Sequence, residues 1–306
     1  MARYSAISVN AATGVAELIP DIVVNEITVT AEREEVFMPL VIRKDVTGPG
    51  EVFNHPVAAA LSFAQLGAQT YIDGASPDET IFDTGQRTFT PQFWFVDVIL
   101  PMDVPAGSTL DVQQAIIDEV GIGWAKHKDG KFAALYTEAP ATAPDHEVGT
   151  NDVALAYSNF LQNTRLLYEH NAPRPFAGVI HPIQWGELMA DNTVIDAAKA
   201  GAPGGTLTIQ PGGFVTKLFD TSLYVSDQIV EATGLRSMWF STKRAFAYYF
   251  KMLTHPLTGI TSELMVGIAW NEARRSFEIC NTYQAAFGGV KGTSTTTNPW
   301  LVDCAS

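Results

Sequence analysis

The most constraining feature of the sequence is a long segment in which two β-rich limbs flank a polar tip. The outgoing limb starts at Glu51 and becomes apolar over 56–66, the tip spans 73–80, and the return limb spans 88–100. This pattern predicts a long β-hairpin, and Pro91 in the return limb favours a sheet edge over a central position. A two-stranded hairpin alone is only marginally stable in water, so this segment needs a further surface to lie on.

Two helices are predicted after the hairpin. Over 110–138, apolar side chains recur every four residues, with acidic residues early and lysines late, as the helix dipole favours. Each glycine inside this helix costs about 1 kcal/mol, so we expect a bend or break near one of them. A second helix is predicted over 151–170, with Asn151 or Asp152 as its cap.

The next part of the chain alternates between strand and helix. A short apolar strand over 176–180 leads through His181 into a helix over 183–189, which Pro182 can open from its first position. This alternation indicates a compact α/β subdomain. A Thr-rich tail over 292–306 is expected to be mobile. Before it, strands are expected at 223–226, 236–240, 245–250, 262–270 and 275–283.

The composition argues against several classes of protein. Thirty-three acidic residues stand against 19 basic ones, which gives a net charge of −14. A dedicated nucleic-acid binder gains its affinity from lysine and arginine, so we expect only weak, non-specific affinity for DNA. The same balance argues against docking on anionic lipid. No apolar run approaches the roughly 18–20 residues of a membrane span, and the first residues do not resemble a signal peptide.

The charge is unevenly distributed along the chain. Residues 1–120 carry 17 acidic and 5 basic side chains, for a net charge of −12. Residues 121–235 carry 12 and 7, for a net charge of −5, and residues 236–306 carry 4 and 7, for a net charge of +3. One interpretation is a solvated acidic face. The other is that opposite ends of neighbouring copies attract each other during assembly.

No motif in the sequence points to catalysis. The chain lacks a nucleophile elbow, a phosphate loop, a dinucleotide fingerprint and zinc-ligand spacing, so we expect no cofactor and no metal. His146 and His170 could meet in space, which is weak support for a metal site. His181 follows a buried strand, where α/β enzymes often place catalytic groups, but it also fits a backbone cap before Pro182.

The order of these elements resembles the major capsid protein of tailed bacteriophages, which has the Hong Kong 97-like fold. The segment 172–188, APRPFAGVIHPIQWGEL, is most similar to that family, with its proline-bearing approach, short apolar strand, His-Pro pair and helix. The segment 241–247, STKRAFA, resembles a later strand of the family. The similarity in element order extends over nearly the whole chain.

The resemblance implies an α+β fold of the Hong Kong 97 type. Its parts are an N-terminal arm, an E-loop β-hairpin, a peripheral domain with a long spine helix, and an axial α/β domain. Mapped on this sequence, the expected divisions are the arm at 1–45, the E-loop hairpin at 46–103, the peripheral domain with the spine helix at 104–148, the axial domain at 149–240, the peripheral strands that return toward the axial domain at 241–291, and the C-terminal tail at 292–306.

The same resemblance implies a structural function. Copies of the chain would form pentamers and hexamers of an icosahedral shell around a double-stranded DNA phage genome, assembled in the host cytoplasm and not attached to a membrane. A scaffolding protein and a portal are the implied partners, with room for a decoration protein, and the procapsid would expand during packaging. Three alternatives remain: an encapsulin nanocompartment, a different virion protein such as a tail component, and an α/β enzyme built around His181.

Assembly contacts are expected where the hairpin and the loops meet a neighbour. Some shells of this family are joined by an isopeptide bond from a hairpin lysine, but this chain has no lysine between Lys44 and Lys126. We therefore predict a non-covalent shell in which Arg87 pairs with an acidic residue of the adjacent copy. The candidate assembly residues are Arg87, Phe89, Phe93, Trp94, Asp73, Asp78, Glu79, Gly204, Gly205, Lys243 and Arg244.

Overall fold

The structure is a computed structural model that describes residues 34–46, 52–58, 84–101, 112–140, 146–190, 214–218, 221–231, 234–254, 261–272, 275–290 and 298–306. Its α-helices are α1 Val112–Ala133, α2 Tyr157–Glu169 and α3 Pro182–Ala190. Short 3-10 helices cover Met38–Leu40 and Ala134–Glu138. The strands are β1 Ile42–Asp45, β2 Phe53–Ala58, β3 Thr84–Phe89, β4 Gln92–Pro101, β5 Glu147–Gly149, β6 Phe176–Ile180, β7 Phe214–Leu218, β8 Thr221–Val225, β9 Arg236–Ser241, β10 Phe246–Lys251, β11 Leu253–Thr254, β12 Thr261–Ser262, β13 Leu264–Asn271, β14 Ser276–Gly289 and β15 Leu301–Ala305.

The long strand β14 organises a five-stranded sheet. Along one edge, β14 pairs with β13 and then with β10, and β10 pairs in parallel with β1. Along the other edge it pairs with β4 over ten residues. Within the described residues β4 has no second partner strand, so the edge position expected from Pro91 is confirmed. The antiparallel pair β2–β3 forms the described part of the hairpin, and β3 leads directly into β4.

A six-stranded sheet has the order β5-β15-β9-β6-β8-β7 and separates two groups of buried side chains. Alternate residues of a strand point to opposite faces, so Trp239 packs toward α2 and α3 while Met238 and Phe240 pack toward α1. The strand over 176–180 and the helix beginning at Pro182 confirm the predicted α/β alternation.

The C-terminal residues form β15, which lies inside the six-stranded sheet between β5 and β9. Leu301, Val302 and Cys304 are fully buried. The expectation of a mobile tail over 292–306 is therefore wrong for residues 301–305, because pairing with two strands satisfies their backbone groups. Residues 291–297 lie outside the described part.

The long helix α1 runs without interruption through all three of its glycines, so the expected break is wrong. Ile117, Val120 and Trp124 are buried against the five-stranded sheet, and this packing outweighs the cost of the glycines. The second helix begins six residues later than predicted, and its cap is Ala156 rather than Asn151 or Asp152.

The segment 35–41, at the end of the expected arm of 1–45, packs into the body of the protein. Phe37 is fully buried and stacks on Phe132 of α1 at 5.9 Å and on Phe240 of β9 at 6.2 Å between ring centroids. This residue therefore joins the long helix to the six-stranded sheet. Glu35 is also buried.

Candidate assembly surfaces

The base of the hairpin is fixed to the body by a charged pair. Arg87 Nη2 donates to Glu138 Oε1 at 2.6 Å, and both side chains are about nine-tenths buried. Glu138 Oε2 accepts the backbone N–H of Gly289 at 2.9 Å. Burial raises the pKa of Glu138, and the Arg87 guanidinium acts in the opposite direction. Within one chain Arg87 thus has a carboxylate partner, and its pairing with an adjacent copy remains a prediction.

Aromatic packing completes this base. Phe89 is buried with its ring 4.8 Å from that of Tyr249, so within one copy it serves the hairpin's attachment to the body. The Tyr249 hydroxyl is hydrogen-bonded to His55 Nδ1. Gly288 leaves the space that Phe89 fills, because a Cβ there would lie 2.9 Å from the Phe89 ring. The direction in which the hairpin leaves the body is therefore set by packing within the chain.

Strand β4 has one inward face and one solvent-exposed face. Trp94 packs against the core, its ring 4.7 Å from that of His127 and 4.1 Å from Lys131 Nζ, a cation–π contact. On the opposite face Phe93 and Phe95 are 62% and 71% exposed, and Ile99 is also exposed. Asp97 is exposed on the same face. We call this surface, Phe93, Phe95, Asp97 and Ile99, the β4 outer face.

Lys243 and Arg244 are exposed in the turn between β9 and β10, where the chain passes from one sheet to the other. The Lys243 N–H donates to Leu40 O at 2.6 Å, and the Thr242 N–H donates to Pro175 O at 2.9 Å. The turn is therefore held against both the segment before β1 and the approach to β6.

A buried charge cluster anchors the segment before β1 to α1. Lys128 Nζ contacts Glu35 at 2.9 Å and Glu263 at 3.0 Å, and Glu263 also accepts from Tyr248 at 2.6 Å and from Arg43 at 2.5 Å. Burial alone would lower the pKa of Lys128, but the two carboxylates outweigh it and raise that pKa. Burial would raise the pKa of Glu263, but Lys128 and its other partners lower it.

Asp129, the next residue, accepts two backbone hydrogen bonds. The N–H groups of Val36 and Phe37 donate to its two oxygens at 2.9 and 3.0 Å. Burial nevertheless raises the pKa of Asp129 to about 7. The sequence analysis did not predict the anchor formed by Lys128 and Asp129. A signal for it was present, because Lys128 stands midway between Trp124 and Phe132, both on the apolar stripe of the helix. A charged residue four positions from two core aromatics is a signal of buried pairing.

The histidines of interest have structural surroundings. The N–H of Ile183 donates to His181 Nδ1 at 3.2 Å, and His181 Nε2 lies 3.0 Å from Glu231, so the capping interpretation is confirmed. His146 and His170 do meet, with ring centroids 4.1 Å apart. No group of three or more potential metal ligands forms among the residues that the structure describes.

Five candidate assembly residues lie outside the described part of the chain: Asp73, Asp78, Glu79, Gly204 and Gly205. The other six lie at three separate places. Arg87 and Phe89 belong to the hairpin base, Phe93 and Trp94 to opposite faces of β4, and Lys243 and Arg244 to the β9–β10 turn.

Comparison with known proteins identifies the fold. No protein-family model and no curated protein sequence matches this chain. Solved structures do match: the capsid of Ralstonia phage GP4 with a TM-score of 0.64, 10% identity and coverage of 90% of this chain and 92% of that one. The capsid of cyanophage P-SCSP1u matches with a TM-score of 0.62 and 12% identity, over 89% of this chain and 88% of that one. The capsid of cyanophage Pam1 matches with a TM-score of 0.62 and 12% identity, over 89% of this chain and 92% of that one.

The chain therefore has the mixed helix and strand fold of bacteriophage capsid structures, and this part of the sequence-based prediction is confirmed. The similarity covers about nine-tenths of each chain. Among the described helices, none is long and apolar enough to cross a membrane.

Proposed function

We propose that this chain is the major capsid protein of a tailed bacteriophage and forms the icosahedral shell around its double-stranded DNA. The observation that carries the proposal is a capsid fold matched over about nine-tenths of the chain at 8–12% identity.

The proposed arrangement is of the Hong Kong 97 type. The hairpin of 46–103 is the E-loop, α1 is the spine helix, and the six-stranded sheet with α2 and α3 forms most of the axial domain. Copies associate as pentamers and hexamers, first around a scaffolding protein and with a portal at one vertex. The acidic balance supports a shell that encloses DNA without binding it tightly, because like charges repel.

Electron microscopy of the purified chain, expressed alone and with its neighbouring phage genes, tests this proposal. Closed icosahedral particles are the expected result, and a chain that remains a compact monomer under both conditions contradicts it. An encapsulin shell would contain protein cargo in place of DNA, so the nucleic-acid and protein content of the particles separates these two functions.

The hairpin provides a second test. Deleting residues 67–85 removes the distal part of the hairpin together with the first two residues of β3, Thr84 and Gly85, and leaves Arg87 and Phe89 in place. We expect a folded, soluble subunit that forms no particles, because the limbs lose the neighbour on which they lie. Normal particles from this variant would show that the hairpin is not an assembly element.

A further inference from the structure

A basic and aromatic surface lies where the two sheets meet. Lys243 and Arg244 are exposed in the β9–β10 turn, and Arg174 is exposed beside it, because Pro175 O accepts the Thr242 N–H. The guanidinium of Arg174 lies 4.8 Å above the ring of Tyr168, which is itself 40% exposed. We call these four residues, Tyr168, Arg174, Lys243 and Arg244, the basic corner.

This corner is unusual in a chain with a net charge of −14. The buried and half-buried cations Arg87, Lys128 and Arg236 each pair with a carboxylate of the same chain. Lys243 and Arg244, by contrast, make no ion pair with any carboxylate in the described ranges. Their turn is held by backbone hydrogen bonds, so their positive charges project from a fixed backbone. An arginine stacked on tyrosine is also typical of the residues that dominate protein interfaces.

The surface that complements this corner is the β4 outer face. It combines an exposed carboxylate, Asp97, with the exposed aromatic rings of Phe93 and Phe95. A carboxylate suits the three cations, and the aromatic rings suit Tyr168 and the stacked guanidinium. Resting on the proposed function, we propose that the basic corner of one copy binds the β4 outer face of a second copy.

The contact joins two different patches, and the proposed arrangement is heterologous: each copy uses its basic corner on one neighbour and its β4 outer face on another. A joined pair then keeps one free β4 outer face and one free basic corner, so further copies can add and close a ring, as a shell requires. A second copy is favoured over DNA as the occupant because the chain's net negative charge opposes the approach of a polyanion. A neighbour also offers the apolar area that DNA phosphates lack.

Carbodiimide cross-linking tests the contact directly, because it joins a lysine amine to a carboxylate that touches it. Isotope-labelled and unlabelled chains are mixed before assembly, and the linked peptides are identified by mass spectrometry. We expect a link between Lys243 and Asp97 in peptide pairs of mixed isotope content, which can arise only between two copies. Particles in which Lys243 is linked to other carboxylates, or to none, overturn the proposal.

Charge reversal gives an independent readout. K243E/R244E should reduce self-association by roughly tenfold or more, and adding D97K should restore most of it. The matched control is R275E, since Arg275 is also exposed and, like Lys243, has a positive φ in a turn. Normal assembly of K243E/R244E overturns the proposal, and if those particles hold less DNA, the corner faces the genome instead.

The two proposals fail in different ways. If the wild-type chain forms no particles but small oligomers carry the Lys243–Asp97 link, the capsid function is wrong and the interface stands. If particles form without that link and without an effect of K243E/R244E, the capsid function stands and the interface is wrong.

Discussion

Replacing Arg87 with methionine should loosen the base of the hairpin. Methionine keeps the length of the side chain but leaves Glu138 Oε1 without its 2.6 Å charged donor, while the carboxylate stays about nine-tenths buried. Breaking a buried pair on one side costs about 3–5 kcal/mol, and the partial exposure of this pair points to the lower end. We therefore expect R87M to lower the free energy of unfolding of the hairpin base by about 3 kcal/mol.

A double-mutant cycle isolates the pair. We expect E138Q to lower the free energy of unfolding of the hairpin base by about 2 kcal/mol. R87M/E138Q should also lower it by about 2 kcal/mol, rather than by about 5 kcal/mol, the sum of the two single losses, because the double variant holds no unpaired charge. Amide hydrogen exchange of β2 and β3 in the unassembled subunit measures these losses. The exposed Arg275 provides the control, since R275M should change stability by less than about 0.5 kcal/mol.

The pH dependence of R87M provides a further check. Burial already raises the pKa of Glu138, and Arg87 is the largest influence that holds it down. Without Arg87 that pKa rises further, so the folded state takes up a proton more readily than the unfolded state. The loss of unfolding free energy in R87M, relative to the wild type, should therefore become smaller as the pH falls. Additive losses in the cycle, or an R87M loss below about 1 kcal/mol at neutral pH, would refute the reasoning.

Three other expectations follow from the described contacts and the sequence. In urea unfolding, F37A should destabilise the subunit by about 3–5 kcal/mol and F37L by about 1.5 kcal/mol. Equal losses in the two variants would count against the stacked packing of Phe37. Because burial raises the pKa of Asp129 from 3.8 to about 7, the wild type should lose up to about 4 kcal/mol of stability as the pH rises through this range. D129N should flatten that dependence. If wild type and D129N lose stability in parallel as the pH rises, Asp129 is not the group responsible. Mature particles boiled in denaturant should give one band near 33.1 kDa, because no lysine lies between Lys44 and Lys126; a ladder that survives reduction would disprove this.

Local patterns predicted the elements that local forces decide. The strand over 176–180, the helix that opens at Pro182 and the capping role of His181 follow from residues within one short segment. The edge position of β4 was likewise predicted, from Pro91, which directly precedes the strand.

The features that were missed depend on partners far away in the sequence. Strand β15 has little apolar length of its own and forms because β5 and β9 offer it two open edges. The glycines of α1 are tolerated because the sheet packs along the helix, and Glu35 is buried because Lys128 meets it from 93 residues away. For the β4 outer face and the basic corner, the sequence analysis named Phe93, Lys243 and Arg244 as candidates, but residues in sequence order do not reveal which neighbours share an open surface with them.

The position of β15 also has a consequence in time, during synthesis of the chain. Its parallel neighbour β5 ends at Gly149, and the antiparallel neighbour β9 ends at Ser241. At about 5–20 residues per second, translation of the residues from β5 to β15 takes roughly 10–30 s. Throughout that interval the place between β5 and β9 is empty, and among the described strands β5 has none to pair with. A nascent chain thus cannot complete this sheet before β15 is made. If the chain has the proposed capsid function, we expect incomplete products of translation to be left out of the particle, because their six-stranded sheet lacks β15.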